Sequence, residues 1–260
     1  MMNNLKMIVF GTLPLSTKVC ELLINNSNIN LIAVILGKSK PVNIDPFEDT
    51  PLLKDFVKSQ KIKTITLENL SSQYDDNYFD YGITCRFSRI LKKEHLSKFK
   101  RGVINFHGGL LPEFGGLYSS CHSILEESKK GGGTIHFIDI GIDTGDIISR
   151  AEFEITNFDT SESIFKKTQK SLYESFVDLL PHIINNSIPV IKQKEFIKKG
   201  HLSKYYNRDS IKGLKKIDLN DNENTIDKKV RAFDFPFFEP AFFILNDKKY
   251  YVRTNFKKQP

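Results

Sequence analysis

The sequence of 260 residues contains no tryptophan, only three cysteines and no long hydrophobic run. The cysteines show no CxxC or CxxH spacing, which excludes a zinc site of that pattern and favours a reducing compartment. The longest apolar stretch, residues 31–36, is far shorter than the roughly 20 residues of a membrane-spanning helix. Because the first residues also lack the apolar segment of a signal peptide, we expect a cytoplasmic protein with no membrane partner.

The charge is moderately basic, with 38 Lys and Arg against 31 Asp and Glu and a formal net charge of +7. The basic residues occur as scattered pairs and form no continuous stripe, a pattern typical of a solvated surface. We therefore expect no nucleic-acid partner. The small excess of positive charge favours acidic small molecules such as phosphates, and the 40% of hydrophobic residues suffices for a sizeable core.

The order of apolar segments predicts an α/β fold. In the first hundred residues, short apolar runs typical of buried strands alternate with helical patterns. This alternation predicts a Rossmann-like, mostly parallel sheet with helices on both faces, whose ligands bind at the carboxyl ends of the strands. The predicted strands cover residues 6–10, 29–36, 63–67, 81–85 and 102–106, and two of the predicted helices cover 51–60 and 91–99.

The pattern changes in the second half of the chain. Two apolar segments, 133–138 and 147–155, flank a turn-rich sequence, and a long amphipathic helix is predicted over 161–185. We divide the chain into a core, 1–190, and a small C-terminal α+β subdomain, 191–260, with a hairpin turn at Asn246 and Asp247.

Three familiar motifs are incomplete. Gly37-Lys38-Ser39 resembles the end of a phosphate-binding loop, but isoleucine stands at position 32, where that loop needs its first glycine. The dinucleotide-binding fingerprint fails because Gly11 is the single glycine of its turn. The Asp-Thr-Gly sequence of aspartic proteases occurs once, at 143–145, whereas that chemistry requires two carboxylates.

The most informative segment follows the predicted strand 102–106. Asn105 and His107 are two residues apart in an extended chain, so both side chains project from the same side, and Gly108 and Gly109 let the backbone approach a ligand closely. An amide donor beside an imidazole suits direct attack of an amine on a carbonyl, in which one group stabilises the oxyanion and the other handles the proton. The alternative is that His107 has only a structural role, as a hydrogen-bonded histidine of the core.

The sequence around these residues resembles the 10-formyltetrahydrofolate-dependent formyltransferases. The resemblance rests on Asn105 and His107, on Leu110-Leu111-Pro112 and on the segment TIHFIDIGIDTGDII at 134–148, which places Asp143 36 residues after His107. It implies direct transfer of formyl from N10-formyltetrahydrofolate to an amine, without a covalent enzyme intermediate and without a metal. By resemblance, Asn105 stabilises the oxyanion, His107 handles the proton, and Asp143 orients His107 or relays protons.

The resemblance also implies where the folate binds. The pterin would lie against the stretch at the end of strand 81–85 and against the loop that leads to Asp143. The cofactor-binding residues carried over in this way are Phe87, Arg89, Ile90, Asp139, Gly141, Ile142 and Asp143.

The acceptor side departs from the commoner family pattern, since Gly108-Gly109 replaces Pro-Ser and Gly115-Gly116 replaces Arg-Gly. The C-terminal extension resembles that of the sugar N-formyltransferases and is shorter and more aromatic than expected for a methionyl-tRNA formyltransferase. An aromatic and arginine set suits the base and diphosphate of a nucleotide sugar. The substrate-binding candidates are therefore Gly108, Gly109, Tyr205, Arg208, Arg231 and Phe233.

We expect a homodimeric N-formyltransferase for a dTDP-linked 4-amino-4,6-dideoxyhexose, such as dTDP-4-amino-4,6-dideoxyglucose, in synthesis of a surface polysaccharide such as the lipopolysaccharide O-antigen. The 3-amino isomers, other small amines, a formyltetrahydrofolate hydrolase and a non-catalytic binding protein remain alternatives. The aromatic residues near Phe233 have a second interpretation, as the core of the subdomain or as a dimer contact.

Overall fold

The computed structural model describes residues 4–38 and 44–254. Their central feature is a six-stranded sheet. Its strands are β1 (Leu5–Gly11), β2 (Ile29–Leu36), β3 (Tyr81–Cys85), β4 (Val103–His107), β6 (Lys130–Phe137) and β7 (Ile147–Glu154). They lie in the order β2-β1-β3-β4-β6-β7, and the first four in this order are parallel to one another, as the alternation of strands and helices predicts.

The last two strands of the sheet run antiparallel to their neighbours. The connection between β6 and β7, residues 138–146, is shorter than the dozen or so residues that a parallel crossover needs, so the chain returns as a hairpin. The Rossmann-like, mostly parallel sheet is confirmed.

Helices cover both faces of the sheet. On one face, α1 (Pro14–Ile24), α2 (Leu53–Ser59) and α6 (Ser161–Ile184) bury their apolar sides against the strands. On the other face, α3 (Leu67–Gln73) and α4 (Lys93–Leu96) cover a second cluster. Strands β1 and β3 are therefore almost fully buried, as expected for parallel strands between two layers of helices.

Two sequence predictions need correction. The strand predicted over 63–67 is reduced to a single bridge between Val34 and Thr64. The chain leaves the sheet there because Thr66 caps the N-terminus of α3, with its hydroxyl accepting a hydrogen bond from the backbone N–H of Asn69. The helix predicted over 91–99 keeps only the four residues of α4.

The C-terminal segment, residues 191–254, packs against the core through short pairings. Gly115–Gly116 (β5) pairs in parallel with Tyr205–Tyr206 (β8), while α5 (Ser119–Leu125) contributes to the apolar cluster that α8 (Glu223–Ala232) shares. The remaining elements are α7 (Gln193–Lys198), a 3-10 helix (Arg208–Ile211), β9 (Ala241–Leu245) and β10 (Lys248–Val252).

The predicted hairpin turn is confirmed. Asn246 and Asp247 both adopt positive φ angles, 47° and 59°, between β9 and β10. Such turns follow the right-handed twist of the flanking strands, and Asn and Asp tolerate them better than most residues. In the described part of the chain, no helix combines the length and the apolar character needed to cross a membrane.

Candidate active site

Asn105, His107 and Asp143 meet at the carboxyl end of β4. Nδ1 of His107 lies 3.5 Å from Oδ2 of Asp143. The other carboxylate oxygen, Oδ1, lies 3.7 Å from Nε2 of His136, which in turn lies 3.0 Å from Nδ2 of Asn105. One amide, two imidazoles and one carboxylate are thus linked in a single polar group at the sheet edge.

The amide of Asn105 is held by the strands on both sides. Thr84 of β3 lies beside Asn105 in the parallel register, and its hydroxyl donates a 2.6 Å hydrogen bond to Oδ1. His136 of β6 lies opposite in the antiparallel register and accepts from Nδ2. An amide nitrogen has two hydrogens, so one N–H of Asn105 is left to donate to a reacting oxygen.

His136 is kept neutral by its surroundings. Its Nδ1 donates a 2.8 Å hydrogen bond to the carbonyl oxygen of Phe137, which leaves Nε2 as the acceptor that faces Asn105. Burial, and next the neighbouring imidazole of His107, lower the pKa of His136 to about 4. The sequence places His136 inside the family motif, but only the strand register shows that it orients Asn105.

His107 has one defined tautomer. Its Nε2 lies 2.7 Å from the carbonyl oxygen of Phe114, an atom that only accepts, so Nε2 carries the proton. Nδ1 is the nitrogen that faces Asp143. The ring is buried, and the nitrogen available to move a proton is therefore Nδ1.

Asp143 lies in the loop between β6 and β7 with a φ angle of 55°, a conformation uncommon for a residue with a side chain. Its Oδ2 accepts a 2.8 Å hydrogen bond from the backbone N–H of Gly116. The carboxylate is mostly buried, and its two oxygens divide between His107 and His136.

The residues expected to bind folate lie at the same edge of the sheet. Phe87 follows β3 and packs edge-on against Phe10 at 5.4 Å, whereas Ile90 is 72% exposed. Arg89 forms a 3.1 Å ion pair with Glu68, so its guanidinium has a partner within the chain. Glu68 is exposed, and hydrogen bonds from its own backbone N–H, from Thr66 and from Arg89 lower its pKa to about 2.

The second expected folate stretch is the β6–β7 loop. Asp139 accepts hydrogen bonds from the backbone N–H of Gly141 at 3.0 Å and from the hydroxyl of Thr144 at 2.7 Å, which fixes the loop from within. Ile142 is half exposed. Exposed apolar side chains beside backbone polar groups suit the flat face and polar edge of a pterin.

The paired glycines of the acceptor side differ from each other. A Cβ on Gly108 would meet nothing within 4 Å, whereas one on Gly109 would lie 2.6 Å from the carbonyl oxygen of Phe114. Gly109 is therefore required by packing. Gly108 leaves open space beside His107.

The four C-terminal candidates fall into two pairs. Tyr205 is 55% exposed and its ring lies beside Gly116, close to the Asp143 loop, and Arg208 is exposed on the 3-10 helix. Phe233 and Arg231 are buried. Arg231 donates to Asp227 at 2.6 Å and to the carbonyl oxygen of Asp159 at 3.1 Å. The burial of both residues and the hydrogen bonds of Arg231 favour a structural role for them over the expected contact with the sugar nucleotide.

The described residues contain no group of three or more His, Cys, Asp or Glu side chains arranged to hold a metal ion. The polar group around Asp143 contains one carboxylate and two imidazoles, with the imidazoles committed to the hydrogen bonds above. Its chemistry is that of oxyanion stabilisation and proton transfer.

Comparison with known proteins decides the family. Residues 5–180 match the family model described as formyl transferase. The chain belongs to the formyl transferase family. The resemblance drawn from Asn105, His107 and Asp143 is thereby confirmed at the level of the family.

The sequence relatives of this chain include methionyl-tRNA formyltransferases. Those of Mycoplasma mycoides subsp. mycoides and Mycoplasma capricolum subsp. capricolum are 30% and 29% identical over 199 and 198 residues. In each case the match covers 75% of this chain and 62% of the relative. The chain thus spans less than two thirds of the length of these relatives.

Solved structures of sugar formyltransferases are similar over nearly the whole chain. WlaRD, a sugar 3N-formyltransferase solved with dTDP and 5-N-formyl-THF, has a TM-score of 0.76 at 26% identity and covers 96% of this chain and 85% of its own. The N-formyltransferase of Helicobacter canadensis, solved with folinic acid and dTDP-3-aminofucose, has a TM-score of 0.76 at 27% identity, with 94% and 86% covered. A 4-N formyltransferase of Francisella tularensis shares the fold at 22% identity, with a TM-score of 0.77 and 98% and 99% covered.

Proposed function

We propose that this chain transfers a formyl group from N10-formyltetrahydrofolate to the amine of a dTDP-linked amino-dideoxyhexose. The observation that carries the proposal is the convergence of Asn105, His107 and Asp143 at the end of β4, with His136 kept neutral beside them. Membership of the formyl transferase family and similarity to sugar formyltransferases along the C-terminal segment support it.

Each polar group has one task in this reaction. The amine nitrogen forms a bond to the formyl carbon while the bond from that carbon to N10 breaks. The free N–H of Asn105 donates to the formyl oxygen as negative charge develops there. Nδ1 of His107 takes the proton that the amine loses, the carboxylate of Asp143 stabilises the resulting imidazolium, and the same proton returns to the departing N10.

The acceptor is proposed to lie on the side of Gly108 and Tyr205. Gly108 leaves room beside His107 for a substituted ring, and the exposed ring of Tyr205 beside Gly116 offers a face on which a pyrimidine base stacks. Arg208, exposed on the 3-10 helix, is the basic residue proposed for the diphosphate.

The reacting amine of the acceptor hexose has two candidate positions, C4 and C3. The sequence resemblance favours the 4-amino-4,6-dideoxyhexoses of surface-polysaccharide synthesis. The 3-amino isomers are favoured by a separate observation, since two solved relatives above 25% identity are a sugar 3N-formyltransferase and an enzyme bound to dTDP-3-aminofucose. Both candidates use the same catalytic residues and differ only in how the hexose is turned toward His107.

A panel assay tests this proposal. The purified protein and N10-formyltetrahydrofolate are incubated with dTDP-4-amino-4,6-dideoxyglucose, dTDP-3-aminofucose and methionyl-tRNA, and tetrahydrofolate and formate are measured. We expect tetrahydrofolate release that depends on one of the two sugars, with no formate. Formate release without any acceptor would instead indicate a hydrolase, and formylation of methionyl-tRNA alone would contradict the sugar acceptor.

We also propose that the chain acts as a cytoplasmic homodimer that uses the β9–β10 hairpin. Apolar side chains are exposed on this hairpin and on the turn before it, including Tyr251 at 57% and Phe237 at 75%. Large exposed apolar side chains grouped on one hairpin and the turn before it are typical of a protein–protein contact. Light scattering of the wild type and of Phe237→Lys tests it: a dimer that the variant dissociates is expected, and a wild-type monomer would contradict it.

A further inference from the structure

Gln193 connects the C-terminal segment to the loop of the catalytic carboxylate. Its side-chain Nε2 lies 2.7 Å from the backbone oxygen of Asp143 and 2.9 Å from that of Gly145. Both partners are carbonyl oxygens, which only accept, so the amide of Gln193 donates both of its hydrogens. One side chain therefore holds the backbone on both sides of Thr144.

Backbone pairing places Gln193 beside the loop that contains Asp143. Two residues earlier, Ile191 pairs antiparallel with Ile147, the first residue of β7, through two hydrogen bonds of 2.8 Å. The chain that follows α6 thus adds to the edge of the sheet before α7 begins. The start of α7 is consequently fixed relative to the loop 138–146, which ends where β7 begins.

The loop that Gln193 holds has a conformation that needs support. Asp143 has a φ angle of 55°, in the left-handed region that residues with side chains seldom adopt. A backbone in this region persists where surrounding contacts impose it. Two hydrogen bonds from one rigidly placed amide are such a contact.

The C-terminal segment also reaches the carboxylate itself. The N–H of Gly116 donates to Oδ2 of Asp143, and the residues on either side of Gly116 are paired with the C-terminal segment. Gly115 donates to the carbonyl oxygen of Lys204 at 3.1 Å, and Leu117 donates to that of Tyr206 at 2.8 Å. The backbone of Asp143 and its side chain are thus held from two separate parts of residues 191–254.

We propose that Gln193 is a positioning residue for Asp143, and that the C-terminal segment is part of the catalytic machinery as well as of the acceptor site. Gln193 lies beyond residues 5–180, the part that matches the family model, so this contact is a feature of this chain outside the shared domain. The inference rests on the proposed catalytic role of Asp143. Its action is indirect, because Gln193 touches the loop and not the reacting atoms.

Removing the two donors tests the inference. Gln193→Met keeps the length of the side chain and loses both N–H groups, and Gln193→Glu keeps length and polarity but also cannot donate. We expect kcat for the accepted dTDP-amino sugar to fall about 10- to 100-fold in both variants, because a small displacement of a catalytic group has effects of this size. The calorimetric Kd for dTDP should stay within about twofold. Lys194→Ala, an exposed change on the same helix, is the matched control and should keep the wild-type kcat.

A double-mutant cycle with Asp143→Asn separates positioning from a general loss of stability. If Gln193 acts through Asp143, the double variant Asp143→Asn, Gln193→Met loses no more kcat than Asp143→Asn alone. Additive losses, or wild-type kcat in folded Gln193→Met or Gln193→Glu, would overturn the inference. Wild-type kcat in Asp143→Asn itself would instead refute the proposed role of Asp143, so the two failures are distinguishable.

Discussion

Nδ2 of Asn105 lies 3.0 Å from Nε2 of His136, and this hydrogen bond exists only while His136 is neutral. Protonation would place an N–H on Nε2, opposite the N–H of the amide, and the two donors would repel. The orientation of the amide proposed to stabilise the oxyanion therefore depends on the charge of a second histidine. Burial of His136 favours its neutral form.

We predict that His136 makes the protein less stable in mild acid. The ordinary pKa of histidine is 6.5, and that of folded His136 is about 4, so the unfolded chain binds the proton more tightly. The free energy of unfolding is expected to fall as the pH drops from 6.5 toward 4, by up to about 3 kcal/mol, and to keep this contribution in full above pH 6.5. Urea unfolding at several pH values measures this change in the free energy of unfolding. His136→Gln should show a smaller pH dependence over this range, and equal slopes for both proteins would contradict the assignment.

We predict that Asn105→Ala and His107→Ala each lower kcat by roughly 100-fold or more, because they remove interactions made mainly in the transition state. Dissociation constants for folinic acid should change little. Thr84→Val, which leaves Oδ1 of Asn105 without its donor, should lower kcat by about 10-fold. Rates of formyl transfer are measured for all three variants, Asn105→Ala, His107→Ala and Thr84→Val. Wild-type rates in Asn105→Ala or His107→Ala would refute their roles.

We predict opposite outcomes at the two adjacent glycines. Gly108→Ala places its methyl group in open space, so the melting temperature should stay within about 2 °C, while kcat/KM for the amino sugar falls. Gly109→Ala forces a Cβ to within 2.6 Å of the carbonyl oxygen of Phe114, and we expect a loss of about 1–3 kcal/mol in stability. Calorimetric melting and steady-state kinetics on the same samples separate the two effects. A similar melting temperature for both variants would contradict the packing argument.

We predict that Arg231 acts on stability and not on substrate selection. Its guanidinium is buried and binds Asp227 and the carbonyl oxygen of Asp159, so Arg231→Ala should cost about 1–3 kcal/mol of unfolding free energy. The Kd values for dTDP and for folinic acid should change by equal factors. Arg208→Ala is the matched control, because this exposed residue is proposed to contact the diphosphate and should weaken dTDP binding alone. Selective loss of dTDP binding in Arg231→Ala would contradict this prediction and indicate that Arg231 contacts the acceptor.

Strand contacts explain why some of the site followed from the sequence and some did not. Asn105 and His107 share one strand, so their common direction follows from the two-residue repeat of an extended chain. His136 was visible as part of a motif, yet its partnership with Asn105 depends on the register between β4 and β6. Register between two strands depends on which faces of both strands are buried together, so the sequence of β4 alone does not show which residue of β6 lies opposite Asn105.

The α/β class, the hairpin turn at Asn246 and Asp247, and the Asn-x-His pair with its distant Asp143 could be predicted from the residues alone, because these depend on local periodicity, turn chemistry and family resemblance. The burial of Arg231 and Phe233, and the contact of Gln193 with the loop of Asp143, became evident in the folded chain. A polar or aromatic side chain has the same sequence signature in a core as at a ligand, and the difference lies in which distant residues surround it.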